Sequence, residues 1–207
     1  MEERLYQKFK LLFSIYSDDK ILLEEYWSEI LKQYSSTKRY YHNLHHLDFM
    51  INELEGVKSE FQDWNAMCFS IFYHDIIYKS TAKNNEEKSA EIAKNRLQKI
   101  SVPIDKIDTI YNQILATKKH LFSNDKDTNY LLDADLAILG KSWTDYEVYI
   151  KNIRKEYAAY PDFIYKPGRK NVLKHFLAFK TIYKTDFFYN KYELQARENM
   201  QRELKQL

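Results

Sequence analysis

Three of the six histidines fall within one short segment, Tyr41-His42-Asn43-Leu44-His45-His46. Residues four apart lie on the same face of a helix, so His42 and His46 can reach the same small volume. His45 lies three residues from His42 but about 100° around the helix from His46, so the three imidazoles do not easily share one ion. The spacing therefore indicates one site that contains His42 and His46, with His45 beside it or at the surface.

Two acidic motifs lie in strongly apolar segments farther along the chain. His74-Asp75 has three apolar or aromatic residues on each side, and Asp133-Ala134-Asp135 has at least two apolar residues on each side. A carboxylate in an apolar helix is costly unless it is paired or binds a metal. Two imidazoles and two carboxylates from three helices would form a mixed nitrogen and oxygen site with open positions. Such a set suits Mn²⁺, Fe²⁺, Co²⁺, Ni²⁺ or Zn²⁺, and suits Mg²⁺ less well.

These motifs have alternative interpretations. Core histidines satisfied by their neighbours, with Asp75 and Asp135 as buried hydrogen-bond anchors, would show the same pattern. Asp133 is more typical of a residue that caps a helix than of a metal ligand. Glu86 and Glu87 fit the first turn of a helix, where acidic side chains are favourable, or a role in orienting a water molecule.

The elements that must position these residues show a helical rather than an alternating hydrophobic period. Gly and Pro number only 3 each, too few for a sandwich or barrel of many short strands. We predict one all-α domain over residues 1–207, with a motif core at 41–140 and C-terminal helices at 142–206 packed on it. The last amphipathic helix could pack internally or across a homodimer. The predicted helices cover residues 5–16, 21–34, 41–55, 61–78, 84–97, 104–119, 131–139, 143–160, 163–179 and 187–204.

Composition limits the class of protein further. Of the 207 residues, 44% are hydrophobic and 30% are charged, which excludes a disordered protein. Lys and Arg number 32 against 30 Asp and Glu, a balance that argues against a dedicated nucleic-acid binder. The single cysteine, Cys68, indicates a reducing compartment, and no apolar run suggests a membrane span or a signal peptide. We therefore expect a cytoplasmic protein without a membrane partner.

The ordered motifs, namely a histidine, a His-Asp pair and a later Ala-Asp pair, resemble those of the HD superfamily of metal-dependent phosphohydrolases. Tyr41–His46 is also similar to the opening motif of the cyclic nucleotide phosphodiesterases, which share that fold. Most of the chain resembles a bacterial family of HD phosphohydrolases. The resemblance implies an HD-domain-like helical bundle in which His46, His74, Asp75 and Asp135 bind a divalent metal ion.

The same resemblance implies catalytic roles. His42 matches the histidine that donates a proton to the leaving oxygen in the phosphodiesterases, and Asp75 could bridge to a second ion. Many HD proteins have an arginine where this chain has Leu136, so a phosphate contact sometimes made there must come from elsewhere or be absent. The phosphodiesterase catalytic region is also much longer, which means that its cyclic-nucleotide pocket cannot be assumed for this chain.

Further polar residues are candidates for the site. His120 follows the helix predicted at 104–119 and could interact with the helix C-terminus, or it could face the substrate or a second metal, as extra histidines do in two-metal HD enzymes. Arg154, Arg169 and Lys170 are candidates for substrate binding, because guanidinium groups match phosphate oxygens. Solvated helix faces also carry such charges.

These observations predict a hydrolase of phosphate esters that uses metal-activated water. The expected partner is a small phosphorylated metabolite or a nucleotide. Two other classes remain open: a metal- or nucleotide-binding HD module that acts through partner contact without turnover, and a metal-free helical interaction protein. Metal content and turnover of generic phosphate esters distinguish the three.

Overall fold

The computed structural model describes all 207 residues, Met1 to Leu207, and every regular element is helical, which confirms the predicted all-α class. None of the ten α-helices combines the length and the apolar character needed to cross a bilayer. The helices are α1 Glu2–Phe13, α2 Lys20–Tyr34, α3 Leu44–Glu55, α4 Trp64–Tyr73, α5 Asn85–Lys99, α6 Ile104–Ala116, α7 Lys126–Leu136, α8 Trp143–Glu156, α9 Asp162–Leu177 and α10 Asp186–Gln206, with 3₁₀ turns at Lys58–Glu60 and Ala137–Gly140.

Five helices besides α3 begin at a side chain that accepts a hydrogen bond from a backbone N–H of the first turn. Such a cap satisfies a donor that the helix itself leaves unpaired. These short polar residues therefore explain why the elements start where they do. The caps are Asp19 for α2, Asp63 for α4, Asp125 for α7, Ser142 for α8 and Thr185 for α10.

The start of α3 differs from the prediction. Asn43 caps this helix by accepting the backbone N–H of His45 at 2.9 Å, so the helix begins at Leu44. His42 therefore precedes the helix, and the predicted helical face shared by His42 and His46 is wrong. The two rings are nevertheless close, with centroids 5.7 Å apart.

The end of α4 also differs from the prediction. The helix ends at Tyr73, so the His74-Asp75 pair lies directly after a buried helix rather than within it. The backbone N–H of Asp75 bonds to the hydroxyl of Tyr34 at 3.2 Å instead of continuing the helical pattern. The apolar residues on both sides of the pair continue the helical pattern in the sequence, so that pattern does not indicate an end at Tyr73.

The helix predicted at 84–97 is present as α5 but begins one residue later, at Asn85. Asn84 makes no side-chain cap, and the side chain of Asn85 instead bonds to the backbone N–H and carbonyl of Lys79, at 3.1 and 3.0 Å. The carboxylate of Glu87 pairs with Lys118. The start of α5 is therefore tied to the preceding loop through Asn85.

Asp133 does not cap its own helix but holds the segment that precedes α10. It is fully buried in the second half of α7. Its carboxylate accepts the backbone N–H groups of Lys184 and Thr185, at 2.9 and 2.8 Å, and the Thr185 hydroxyl at 2.8 Å. Both oxygens of Asp133 are thus used to hold the start of α10.

The core is centred on α4 and closed by α10. Phe72 of α4 is completely buried and meets Phe9 of α1 edge-on, with 5.2 Å between ring centroids. A Cβ on Gly140 would lie 2.4 Å from the Cβ of Tyr192, so only glycine allows α10 to approach the 3₁₀ turn this closely. One face of the last helix therefore packs internally, with Phe188, Ala196 and Met200 completely buried.

The buried carboxylate of Glu53 joins α3 to the C-terminal part of the chain. It accepts hydrogen bonds from the ammonium groups of Lys141 and Lys191, at 2.6 and 2.8 Å, and from the hydroxyl of Tyr192 at 2.8 Å. Burial alone would raise the pKa of Glu53, but these three donors outweigh burial and lower it. Ionised Glu53 therefore stabilises the packing of α10 on α3.

We predict that Glu53→Gln lowers the free energy of unfolding at pH 7 by about 1–3 kcal/mol, because the buried donors lose their charged acceptor. A carboxylate with a lowered pKa stabilises the fold above its unfolded pKa, near 4.5, and this stabilisation is lost as the pH falls through the folded-state pKa. The difference between wild type and variant should therefore shrink on acidification. Urea unfolding followed by circular dichroism measures it.

The control for this prediction is Glu55→Gln, on the same helix. Glu55 pairs with Lys8 and its side chain is exposed, so its replacement should change stability little at any pH. Equal losses in the two variants, or a pH-independent loss for Glu53→Gln, would contradict the prediction.

Candidate metal centre and adjoining cavity

The four residues expected to bind a metal lie together. His46 lies in the first turn of α3, His74-Asp75 follows α4, and Asp135 lies near the end of α7. Nε2 of His46 is 3.3 Å from Nε2 of His74 and 3.1 Å from Oδ1 of Asp135. Nε2 of His74 is 3.3 Å from Oδ2 of Asp75 and 3.8 Å from Oδ1 of Asp135. We call these four side chains the His-Asp cluster.

The donor set of the His-Asp cluster fits a divalent cation. One possible ligand atom from each of His46, His74 and Asp75 lies within 4.8 Å of the other two. Nδ1 of His74 donates to the carbonyl of Ile71 at 2.9 Å, which leaves the lone pair of Nε2 facing the cluster when the ring is neutral. Nδ1 of His46 is buried without a partner, so this ring interacts only on its cluster side. Imidazole and carboxylate donors together suit first-row divalent cations.

The electrostatics of the cluster favour one added positive charge. Burial lowers the pKa of His46. Burial acts in the same direction on His74, but the carboxylates of Asp75 and Asp135 outweigh it and raise the pKa of His74 to about 9. Burial opposes ionisation of Asp135, yet hydrogen bonds to His120 and His46 hold its pKa well below the usual range. The ionised carboxylates thus attract either a proton on His74 or a metal ion.

Glu156 of α8 positions His42. Its carboxylate accepts Nδ1–H of His42 at 2.6 Å and the backbone N–H groups of Tyr41 and His42 at 2.7 and 3.0 Å. The hydroxyl of Tyr78 donates to the same carboxylate at 3.0 Å, and the Glu156 side chain is completely buried. Nε2 of His42 lies 4.0 Å from Oδ2 of Asp75, beside the cluster. Sequence reasoning missed Glu156, because it stands among other charged residues at a helix end.

Arg39 connects the two loops that carry His42 and Asp75. Its buried guanidinium donates to the backbone carbonyls of Asp75 at 2.7 Å, Ile76 at 2.9 Å and His42 at 3.3 Å. These carbonyls lie outside any helix, so they need donors from elsewhere. Arg39 was also missed, since nothing in its local pattern separates it from a surface arginine.

His120 joins the cluster from the loop after α6. The helix ends at Ala116, and His120 adopts a left-handed backbone with φ of 51°, a conformation that is uncommon for residues other than glycine. Its Nε2 lies 2.9 Å from Oδ2 of Asp135. The structure thus shows the His120 imidazole bonded to a carboxylate of the cluster, a contact that differs from both roles considered for it.

A cavity of about 480 Å³ opens beside the cluster. His42, His120 and Asp135 form one part of its lining. The rest is mostly apolar and aromatic, and comes largely from α8, α9 and the turn between them. The other lining residues are Tyr41, Tyr78, Thr117, Lys118, Leu136, Ile138, Leu139, Tyr149, Ile153, Tyr157, Tyr160, Ile164, Tyr165, Gly168, Arg169, Val172 and Phe176.

The three residues expected to bind phosphate are placed differently from one another. Arg169 lines the cavity, but its guanidinium is bonded to Glu203 at 2.7 and 3.0 Å. Arg154 bonds to Asp162 and to two backbone carbonyls and does not line the cavity. Lys170 also lies outside the cavity. The structure therefore does not bring the three together.

The remaining candidates lie away from the cluster. Glu86 and Glu87 face Lys118, at 4.0 Å in the case of Glu86. His45 and His175 are exposed. Of the six histidines, His42, His46, His74 and His120 are thus the ones gathered at the site.

Comparison of the chain with protein-family models, curated proteins and solved structures finds no match. Statements about activity therefore rest on the geometry of the site and on the resemblance of its motifs.

We predict that the purified protein binds Mn²⁺ at the His-Asp cluster and that His74→Ala weakens this binding by at least about 100-fold, because a ligand nitrogen is removed. His175→Ala makes the same exchange at an exposed position and should bind as wild type does. Calorimetric titration with MnCl₂ measures the affinity, and circular dichroism checks that each variant is folded. No uptake by wild type, or equal uptake by the folded His74→Ala variant, would refute the metal site.

Proposed function

We propose that this protein is a metal-dependent phosphohydrolase that cleaves the phosphate ester of a small metabolite, with nucleotides among the candidate substrates. The observation that carries the proposal is the position of the His-Asp cluster at the wall of a cavity that Asp135 and His42 both line. The resemblance of the ordered motifs to the HD superfamily supports the same assignment and an HD-like arrangement of the helices.

His46, His74, Asp75 and Asp135 would hold the metal ion. A bound divalent cation supplies a water molecule of lowered pKa and polarises a phosphoryl oxygen. The protein contributes fixed orientations: the Ile71 carbonyl sets the ring of His74, and His120 holds the second oxygen of Asp135. Residues that orient metal ligands in this way commonly control affinity and activity.

His42 would donate a proton to the leaving oxygen. Glu156 occupies Nδ1 of His42, so Nε2 is the nitrogen from which a proton can be delivered at the cavity. A module that only binds metal has no use for a buried carboxylate that holds a histidine beside the cluster. This pair therefore favours a hydrolase over a silent binding module.

The proposed location is the cytoplasm. Burial raises the pKa of the single thiol, Cys68, to about 12, so the thiol stays protonated and unreactive. A lone, inert thiol suits a reducing compartment, where disulfides are rare.

We predict that the Mn²⁺-loaded protein hydrolyses 4-nitrophenyl phosphate or bis(4-nitrophenyl) phosphate. With phenyl phosphate, whose leaving oxygen needs a proton, His42→Ala should lower kcat, measured as phosphate release, by about 10²–10⁴-fold, the usual contribution of a positioned proton donor. The same variant should change kcat on 4-nitrophenyl phosphate little, because 4-nitrophenolate leaves without a proton. Metal content should stay unchanged, because His42 lies outside the cluster. Absorbance of 4-nitrophenolate measures turnover.

His45→Ala is the matched control, three residues away and exposed, and should keep wild-type kcat. Metal binding without turnover of either ester would support the silent binding module instead. Equal kcat of wild type and His42→Ala on phenyl phosphate would remove His42 from the mechanism.

A further inference from the structure

The cavity beside the His-Asp cluster bears on which phosphate esters can bind. Its volume, about 480 Å³, is within the usual range for small-molecule sites. Tyr149, Tyr157 and Tyr160 line it together with Ile153 and Ile164. Aromatic and aliphatic walls of this kind bind flat or apolar groups through burial of apolar surface and ring packing.

The lysine and arginine that line the cavity are already paired with carboxylates. Arg169 makes a two-bond contact with Glu203, at 2.7 and 3.0 Å, and both side chains are buried. Lys118 pairs with Glu87. A second negative charge beside Arg169 would therefore lose water without gaining a free cation, which is costly. At the partly exposed Lys118, such a charge would have to compete with Glu87.

We propose that the cavity selects esters with one phosphoryl group on an uncharged aromatic or apolar alcohol, and that it rejects ligands with further negative charge. This inference rests on the proposed function, since it assumes that the phosphoryl group binds at the His-Asp cluster. The organic group then lies against the tyrosines of α8 and the turn after it. Diphosphates and triphosphates are poor ligands because their additional charges meet no free cation.

A larger side chain at Gly168 of α9 would fill part of the cavity while leaving the His-Asp cluster unchanged. It lines the cavity, and a Cβ built on it meets no atom within 4 Å. Gly168→Leu therefore fits the helix and occupies space that an organic group would use. Lys170→Leu places the same side chain on the same helix but outside the cavity, and it serves as the matched control.

The first measurement is binding, which does not depend on turnover. Calorimetry in the presence of Mn²⁺ compares three phosphonates whose C–P bond is not hydrolysed: benzylphosphonate, methylphosphonate and 4-carboxybenzylphosphonate. We expect benzylphosphonate to bind at least about tenfold more tightly than methylphosphonate, from burial of the ring. The added carboxylate should cost about tenfold or more. Gly168→Leu should abolish the advantage of the ring, and Lys170→Leu should retain it.

The second measurement is hydrolysis of the matching esters, phenyl phosphate and glycerol 2-phosphate, with kcat/KM favouring phenyl phosphate. Selective phosphonate binding without hydrolysis of any ester would end the proposed function and leave the cavity inference standing. Hydrolysis with equal kcat/KM for phenyl phosphate and glycerol 2-phosphate would support the proposed function and contradict the cavity inference. Equal affinity for the three phosphonates, or an unchanged preference in Gly168→Leu, overturns the inference.

Discussion

Placing two ionised carboxylates in the interior of a helical domain costs several kcal/mol each unless positive charge and hydrogen bonds accompany them. Asp75 and Asp135 are in this situation, and the histidines around them follow from it. Asp135 is bonded through both oxygens, to His46 at 3.1 Å and to His120 at 2.9 Å, while Asp75 lies against His74 at 3.3 Å. The left-handed backbone of His120 is consistent with this demand, since it places an imidazole where a carboxylate oxygen needs a partner.

The side chains of the His-Asp cluster, with His42 and His120, lie mainly at helix ends and in loops. Their positions therefore depend on the residues that hold those loops in place. Arg39 bonds to carbonyls from both the segment before α3 and the segment after α4. Glu156 of α8 also holds the segment before α3. Its carboxylate bonds to the backbone N–H groups of Tyr41 and His42 and to a ring nitrogen of His42. Arg39 and Glu156, two buried charged residues outside the motifs, thus fix the positions of these two segments through hydrogen bonds.

The helical class could be predicted from the sequence, because apolar periodicity is a local pattern, and the resemblance of the ordered motifs to the HD superfamily implied the convergence of His46, His74, Asp75 and Asp135. The exact ends of α3 and α4 could not. Asn43 starts α3 with a side-chain cap, and α4 ends where the next backbone donor meets Tyr34, a partner 41 residues away. Glu156 and Arg39 escaped for the same reason, since their roles exist only once distant segments have packed.

The site and the surface that would select its substrate come from different parts of the chain. The side chains of the His-Asp cluster all lie within residues 41–140, whereas much of the cavity wall belongs to α8 and α9. The charge of that wall depends on a third helix, because Glu203 of α10 neutralises Arg169. Glu203 can reach Arg169 because α10 packs closely against the turn that contains Gly140. The charge of the cavity wall therefore depends on this packing, whereas the motifs supply only part of the cavity lining. Motif resemblance alone can then indicate a reaction class, but the substrate must be inferred from the C-terminal helices.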